Sequence, residues 1–164
     1  MALDSPTELF RYELSGALDA EKKATAWRDE IAGQLRDSGL QQIARTEQQE
    51  GHRRIENLEA CFAALGARAG EVSGLTVDGA RAEFKQFMSQ QPAPDTREIY
   101  AVGSLLKMSH VGVAAYRGLV DKALAMGQAR CAQLLRRNLV MKADSIGRLE
   151  RISYELSERV MATA

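Results

Sequence analysis

The chain has 164 residues, 45% of them hydrophobic and 27% charged, which is enough for one domain with a sizeable core. Lysine plus arginine equals aspartate plus glutamate at 22 each, a balance that argues against the basic surplus of a nucleic-acid binder. No apolar run approaches the roughly 20 residues of a membrane span. Met1-Ala2-Leu3-Asp4-Ser5-Pro6 has neither the basic nor the apolar region of a signal peptide, so a cytoplasmic protein with no membrane association is expected.

Prolines occur only at Pro6, Pro92 and Pro94, which predicts long helices punctuated by one loop. Strand signals are nearly absent, since the β-branched cluster over 71–78 is too short for a sheet. The first helix is expected from Pro6 to about Arg36, with Ser5 as N-cap and Glu8 at capping-box spacing. Its stripe reads Phe10, Leu14, Ala17, Glu21, Ala24, Arg28, Ile31, Leu35. Asp37-Ser38-Gly39 reads as stop and turn. The second helix is expected from about Leu40 to Leu65, with the inner stripe Leu40, Ala44, Glu47, Gly51, Arg54, Leu58, Cys61, Leu65 and with Glu50 flanking it. Both helices thus carry acids midway along an otherwise apolar face.

A glycine-rich connection follows from Gly66 to Gly74, then a short helix from Asp78 to about Ser89 with Phe84 and Phe87 on its apolar side. Asp95 reads as the cap of a third long helix over about Thr96 to Met126, broken by Gly127. Its seam reads Val102, Leu105, Ser109, Gly112, Tyr116, Leu119, Ala123, Met126, apolar at both ends and small or polar at its centre. The last helix is expected from about Gln128 to the C-terminus, with the seam Leu135, Leu139, Lys142, Ile146, Leu149, Ser153, Leu156, Val160. Lys142 is a charge placed on that seam. Cys61 and Cys131 belong to no CxxC pair and read as reduced core thiols. Two hairpins of long helices joined by a crossover make a single-domain, all-α, ferritin-like four-helix bundle with a short extra helix.

The chain resembles the YciE/YciF-type bacterial ferritin-like family, which is associated with stress responses. The resemblance runs from about Pro6 to Leu156 and rests on four segments: Asp19-Ala20-Glu21-Lys22; Glu50-Gly51-His52 with the run from Leu58 to Gly66; His110, Ala114, Tyr116 and Leu119; and Leu134-Leu135 with Leu139. It implies a homodimer paired through helix faces. The apolar residues on more than one stripe of the first helix, Phe10, Tyr12, Leu14 and Trp27, agree with that unless the short helix covers them. It also implies a di-metal centre ligated from all four long helices, and here the chain departs. The third helix of the family typically reads EHYEIAAYGTL, and its two acidic positions fall on Ser109 and Gly112. In the fourth helix the acidic run falls near Val140, Met141 and Lys142, and Asp144 is one position off the seam.

The carboxylates that remain are Glu21, Glu47 and Glu50, too few to neutralise two divalent ions. His52 and His110 form no HxxxH, HExxH or ExxH pair and read as helix-surface or packing residues. Tyr116 reads as a core residue with its hydroxyl satisfied. Phosphate-loop, GxGxxG and GxSxG patterns are absent. The expectation is a degenerate ferritin-like protein with no cofactor and no catalytic residues, acting as a stress-associated or protein-interaction module with an unidentified protein partner. The alternative is iron or manganese at a partial site of Glu21, Glu47 and Glu50, with oxidase or iron-handling activity. Lys142 is expected to enter the former metal cavity and pair with one of these acids, because an unpaired ammonium on a seam costs several kcal/mol.

Overall fold

The computed structural model describes residues 3–163; the leader reading of Met1 and Ala2 lies outside the described residues. Five helices follow in order: α1 (Pro6–Ala32), α2 (Ser38–Ala64), α3 (Leu75–Met88), α4 (Pro94–Ala125) and α5 (Ala129–Met161). They form the expected ferritin-like bundle: α1 packs on α2, α4 on α5, and α2 on α5, while α3 lies in the crossover against α1 and α4.

Several helix limits differ from the sequence reading, each for a local reason. α1 stops at Ala32, not near Arg36. The backbone N–H groups of Arg36 and Asp37 donate instead to the buried Glu98 carboxylate of α4. Asp37 is the N-cap of α2, its side chain accepting the Leu40 N–H at 2.9 Å, so Ser38 and Gly39 belong to the first turn and not to a preceding turn. α3 begins at Leu75, three residues before Asp78. α4 begins with Pro94 in its first turn and Ala93 as cap, which leaves Asp95 inside the first turn, where its charge favours the helix dipole. The ends of α2 and α4 are built alike. Gly66 and Gly127 take left-handed φ values of 60° and 67°, and the next N–H groups, of Ala67 and Gln128, return to Phe62 and Ala123 carbonyls.

The core is divided. One apolar cluster holds Phe10, Leu14, Leu58, Phe62, Leu119 and Leu135, and a second holds Trp27, Ile31, Leu40, Val102, Leu149 and Leu156. Trp27, an apolar surplus of α1, is covered by α3: its ring meets Phe84 edge-on at 6.0 Å, and Phe87 stacks on Tyr100 of α4 at 3.8 Å. The crossover is tied to α1 by the Gly74 N–H donating to Asp19 at 2.7 Å and the Gly70 N–H to Ser15 at 2.9 Å. A Cβ on Gly74 would sit 2.7 Å from the Ala20 Cα, so only glycine permits this approach.

On α5 the inward side is not quite the expected one. Asn138 and Ser145 are fully buried, whereas Leu139 and Ile146 are only partly so. The polar pair wins the inner positions because it has partners there: Asn138 Nδ2 donates to the Arg54 carbonyl at 3.1 Å, and the Ser145 and Ser109 hydroxyls lie 3.1 Å apart.

Candidate functional site

Between the two apolar clusters lies a layer of buried charge. α1 contributes Glu21 and Arg28, α2 contributes Glu47, Glu50 and Arg54, α4 contributes Ser109, Gly112 and Tyr116, and α5 contributes Asn138, Lys142, Ser145 and Arg148. On every helix the positions follow from the apolar stripe: steps of three, four or seven place a polar residue where a large aliphatic one would otherwise pack. Arg54 is fully buried, and Glu21, Arg28, Glu47 and Lys142 are each 5% exposed or less.

Glu21 is the centre of the layer. Its Oε1 accepts from Arg54 Nε at 3.0 Å and from the Tyr116 hydroxyl at 3.0 Å, and the Lys142 ammonium stands 3.4 Å away. Arg28 Nη1 is 3.9 Å from the other oxygen. Glu47 and Glu50 share Arg148, whose Nη2 donates to them at 3.0 and 2.8 Å, and Arg54 lies 4.0 and 3.7 Å from the same two carboxylates. Lys142 therefore turns into the bundle interior and pairs with Glu21, one of the three acids the sequence offered as its partner. Gly112 is what admits it. A Cβ there would lie 2.8 Å from Lys142 Cε and 3.0 Å from Cδ, so the lysine stem crosses α4 where that helix has no side chain. Gly51 does the same for Thr25 and Arg28, since its Cβ would meet Thr25 Oγ1 at 2.5 Å.

The electrostatics follow from this geometry. Burial acts to raise the Glu21 carboxyl, but Lys142, Arg54 and Arg28 outweigh it and hold it at about 2. Glu47 is also lowered: burial opposes, and Ser145, Arg28, Arg54 and Arg148 prevail. Burial, reinforced by Arg28 and Arg54, drags Lys142 down to about 7 despite the attraction of Glu21. Burial and the neighbouring Glu21 carboxylate push the Tyr116 phenol well above its ordinary value.

Of the residues singled out in the sequence, Glu21, Glu47, Glu50, Ser109, Gly112, Tyr116 and Lys142 are all brought to this layer. His52 and His110 are exposed. Arg28 and Arg54 were legible as cations on apolar stripes, the same signal that drew attention to Lys142. Arg148 carried no such signal, because it lies off the seam and its side chain is 31% exposed. Asn138 lay next to the chosen seam position. Cys61 and Cys131 are free and face one another across α2 and α5, each thiol directed at the other's carbonyl at 3.8 and 3.6 Å.

The layer does not fit a di-metal centre. Each carboxylate is already matched by a guanidinium or ammonium group, and a divalent ion beside Glu21 would stand against Arg28, Arg54 and Lys142. Among the described residues no three His, Cys, Asp or Glu side chains converge as a metal cage would require. A cavity of about 480 Å³ opens between α1 and α4 under residues 72–77; Glu21, Arg28 and Lys142 form its charged wall, with the neutral Tyr116 phenol beside them.

The sequence profile of a domain-of-unknown-function family, DUF892, matches residues 5–162. Among solved structures, the Escherichia coli stress protein YciF superposes with a TM-score of 0.91 at 18% identity, covering 95% of this chain and 99% of that one. YcfI from Rhodopseudomonas palustris gives 0.87 at 20% identity, covering 92% and 97%. A protein from Xanthomonas campestris pv. campestris gives 0.69 at 19% identity, covering 96% and 99%. At these identities the likeness is one of fold. Curated proteins provide no match.

Proposed function

We propose that this chain, which belongs to the DUF892 family, is a ferritin-like protein in which an internal ion-pair layer has replaced a di-metal centre, and that it works without catalysis as a stress-associated, protein-interacting module. The observation that carries the reading is the double occupation of Glu21 by Arg54 at 3.0 Å and Lys142 at 3.4 Å, opposite Ser109 and Gly112. The carboxylates a metal pair would need are held as counter-ions, and the opposing helix supplies none. The fold shared with a stress protein of E. coli supports the stress association. The protein pairs as a homodimer in this reading, although one argument for pairing is weakened by α3, which covers Trp27 and leaves Tyr12 and Leu9 as the exposed apolar side chains of α1.

Elemental analysis of protein expressed in iron- and manganese-supplemented medium tests the loss of the metal centre. The expected content is well below one transition-metal ion per chain. Close to two ions per chain would overturn the reading in favour of oxidase or iron-handling chemistry at Glu21, Glu47 and Glu50. Light scattering tests the dimer.

A further inference from the structure

The cavity between α1 and α4 is not accounted for by a non-catalytic scaffold. α1 and α4 are adjacent in the bundle yet barely touch, and the space of about 480 Å³ between them is of the size that small-molecule sites occupy. Its walls are apolar or small: Gly16, Ala17, Ala20, Met108, Val111 and Leu119 among them. The segment over 72–77 covers it, held on α1 by the Gly74–Asp19 hydrogen bond. Glu13 and Lys122, also on its lining, pair with each other at 2.8 Å and leave no net charge there.

The charged wall is different. Glu47 and Glu50 are matched by Arg148 and Arg54, one guanidinium for each carboxylate. Arg54 also donates to Glu21, so the layer as a whole sets Arg28, Arg54, Lys142 and Arg148 against Glu21, Glu47 and Glu50, a surplus of one cation, and Arg28 and Lys142 both line the cavity. Arg28 Nη1 is buried and donates no hydrogen bond, in a side chain that is 3% exposed. A buried guanidinium donor without an acceptor is costly, and a positive surplus in a low-dielectric wall favours an anion.

We propose that this cavity binds a small amphipathic monocarboxylate, with its carboxylate against Arg28 and Lys142 and its hydrocarbon tail along the alanine-lined gap between α1 and α4. An apolar tail matches the walls, and a single negative charge matches the single surplus cation. A polyanion would exceed the charge available, and a neutral amphiphile could accept from Arg28 but would leave the surplus positive charge unmatched.

Sodium octanoate, 1-octanol and octylammonium chloride, titrated calorimetrically into the full chain, test this. The expected result is saturable binding of octanoate, with the alcohol and the ammonium weaker by about tenfold or more. Lys142→Met keeps the volume and removes the charge, and should weaken octanoate by about tenfold while leaving octanol unchanged. Ala115→Trp, at an exposed position on the lining, should abolish both. Absence of saturable octanoate binding, equal binding of all three probes, or octanoate binding that survives both variants would each overturn the proposal. Metal content enters none of these outcomes.

Discussion

The two hairpins contribute unequally to the charged layer. α1 and α2 supply all three of its carboxylates, Glu21, Glu47 and Glu50, together with two guanidinium groups, Arg28 and Arg54. α4 and α5 supply no carboxylate to it; they bring Lys142, Arg148, three hydroxyls and the gap at Gly112. The first hairpin thus comes close to neutralising itself, and the second adds cations to a set that is already largely matched. The difference predicts an asymmetry. Removing charge from the first hairpin strands several partners, whereas removing it from the second strands few.

The largest expected effect is that of Glu21→Gln, which keeps the shape and removes the charge that Arg28, Arg54 and Lys142 share. Breaking a buried pair on one side costs about 3–5 kcal/mol, to be read from urea unfolding at pH 7. A loss under about 1 kcal/mol would break the comparison at its centre.

The two hairpins should respond to pH with the same sign but in separate windows, the first in acid and the second in base. Glu21 is held at about 2 against an ordinary 4.5, so its contribution is complete above pH 4.5 and is lost as pH falls toward 2. Lys142 is also depressed, to about 7 from 10.5, but it is a base. Between those values the unfolded chain binds more protons than the folded one, so stability rises with pH, by up to about 1.4 kcal/mol per unit. The charged groups facing it are Glu21 and Arg28 from α1 and Glu47 and Arg54 from α2, and the Tyr116 hydroxyl of α4 donates to the same Glu21 oxygen that Lys142 approaches. The Cys61 thiol, raised to about 12 by burial, acts in the opposite direction once pH passes 9, the ordinary thiol value. The window from pH 7 to 8.5 therefore isolates Lys142, and the slope there should vanish in Lys142→Met. A slope that persists in the variant belongs to another group.

Gly112→Ala tests the gap. The new Cβ would press on the Lys142 stem at 2.8 Å, and overpacking of this kind costs about 1–3 kcal/mol, against a helix-propensity gain of about 1. The net loss should reverse sign in a Lys142→Ala background, where nothing is left to clash. Additive effects in that double-mutant cycle would show that Gly112 and Lys142 are independent.

The smallest effect is expected for Lys142→Met itself, within about 1 kcal/mol of the parent at pH 7. From sequence, removing Lys142 would strand a carboxylate. In the structure Glu21 retains Arg54 and the Tyr116 hydroxyl, each at 3.0 Å, and an apolar stem replaces a charge that is costly to bury. A loss as large as that of Glu21→Gln would show that the second hairpin carries the layer after all.

The sequence by itself determined the helices, their order, and the level at which polar residues interrupt each stripe. Those features are local: a period near 3.6 places Glu21, Glu47, Gly112 and Lys142 on inner faces whatever surrounds them. It also determined that Lys142 needed an anion, because burying an ammonium is expensive in any fold. Helix limits at Asp37, Leu75 and Pro94 were missed by a few residues because capping depends on partners as distant as Glu98, which takes the Arg36 and Asp37 N–H groups. Only the tertiary structure decided which acid Lys142 meets, that Arg54 meets it too, that Arg148 reaches inward from a half-exposed position, and that α5 turns Asn138 and Ser145 inward. These are choices among cations and faces of similar periodicity, settled by distances between helices far apart in the chain. The cavity between α1 and α4 has the same origin: alanines and glycines read along a single helix show small residues, and an opening exists only once two such faces are set opposite each other.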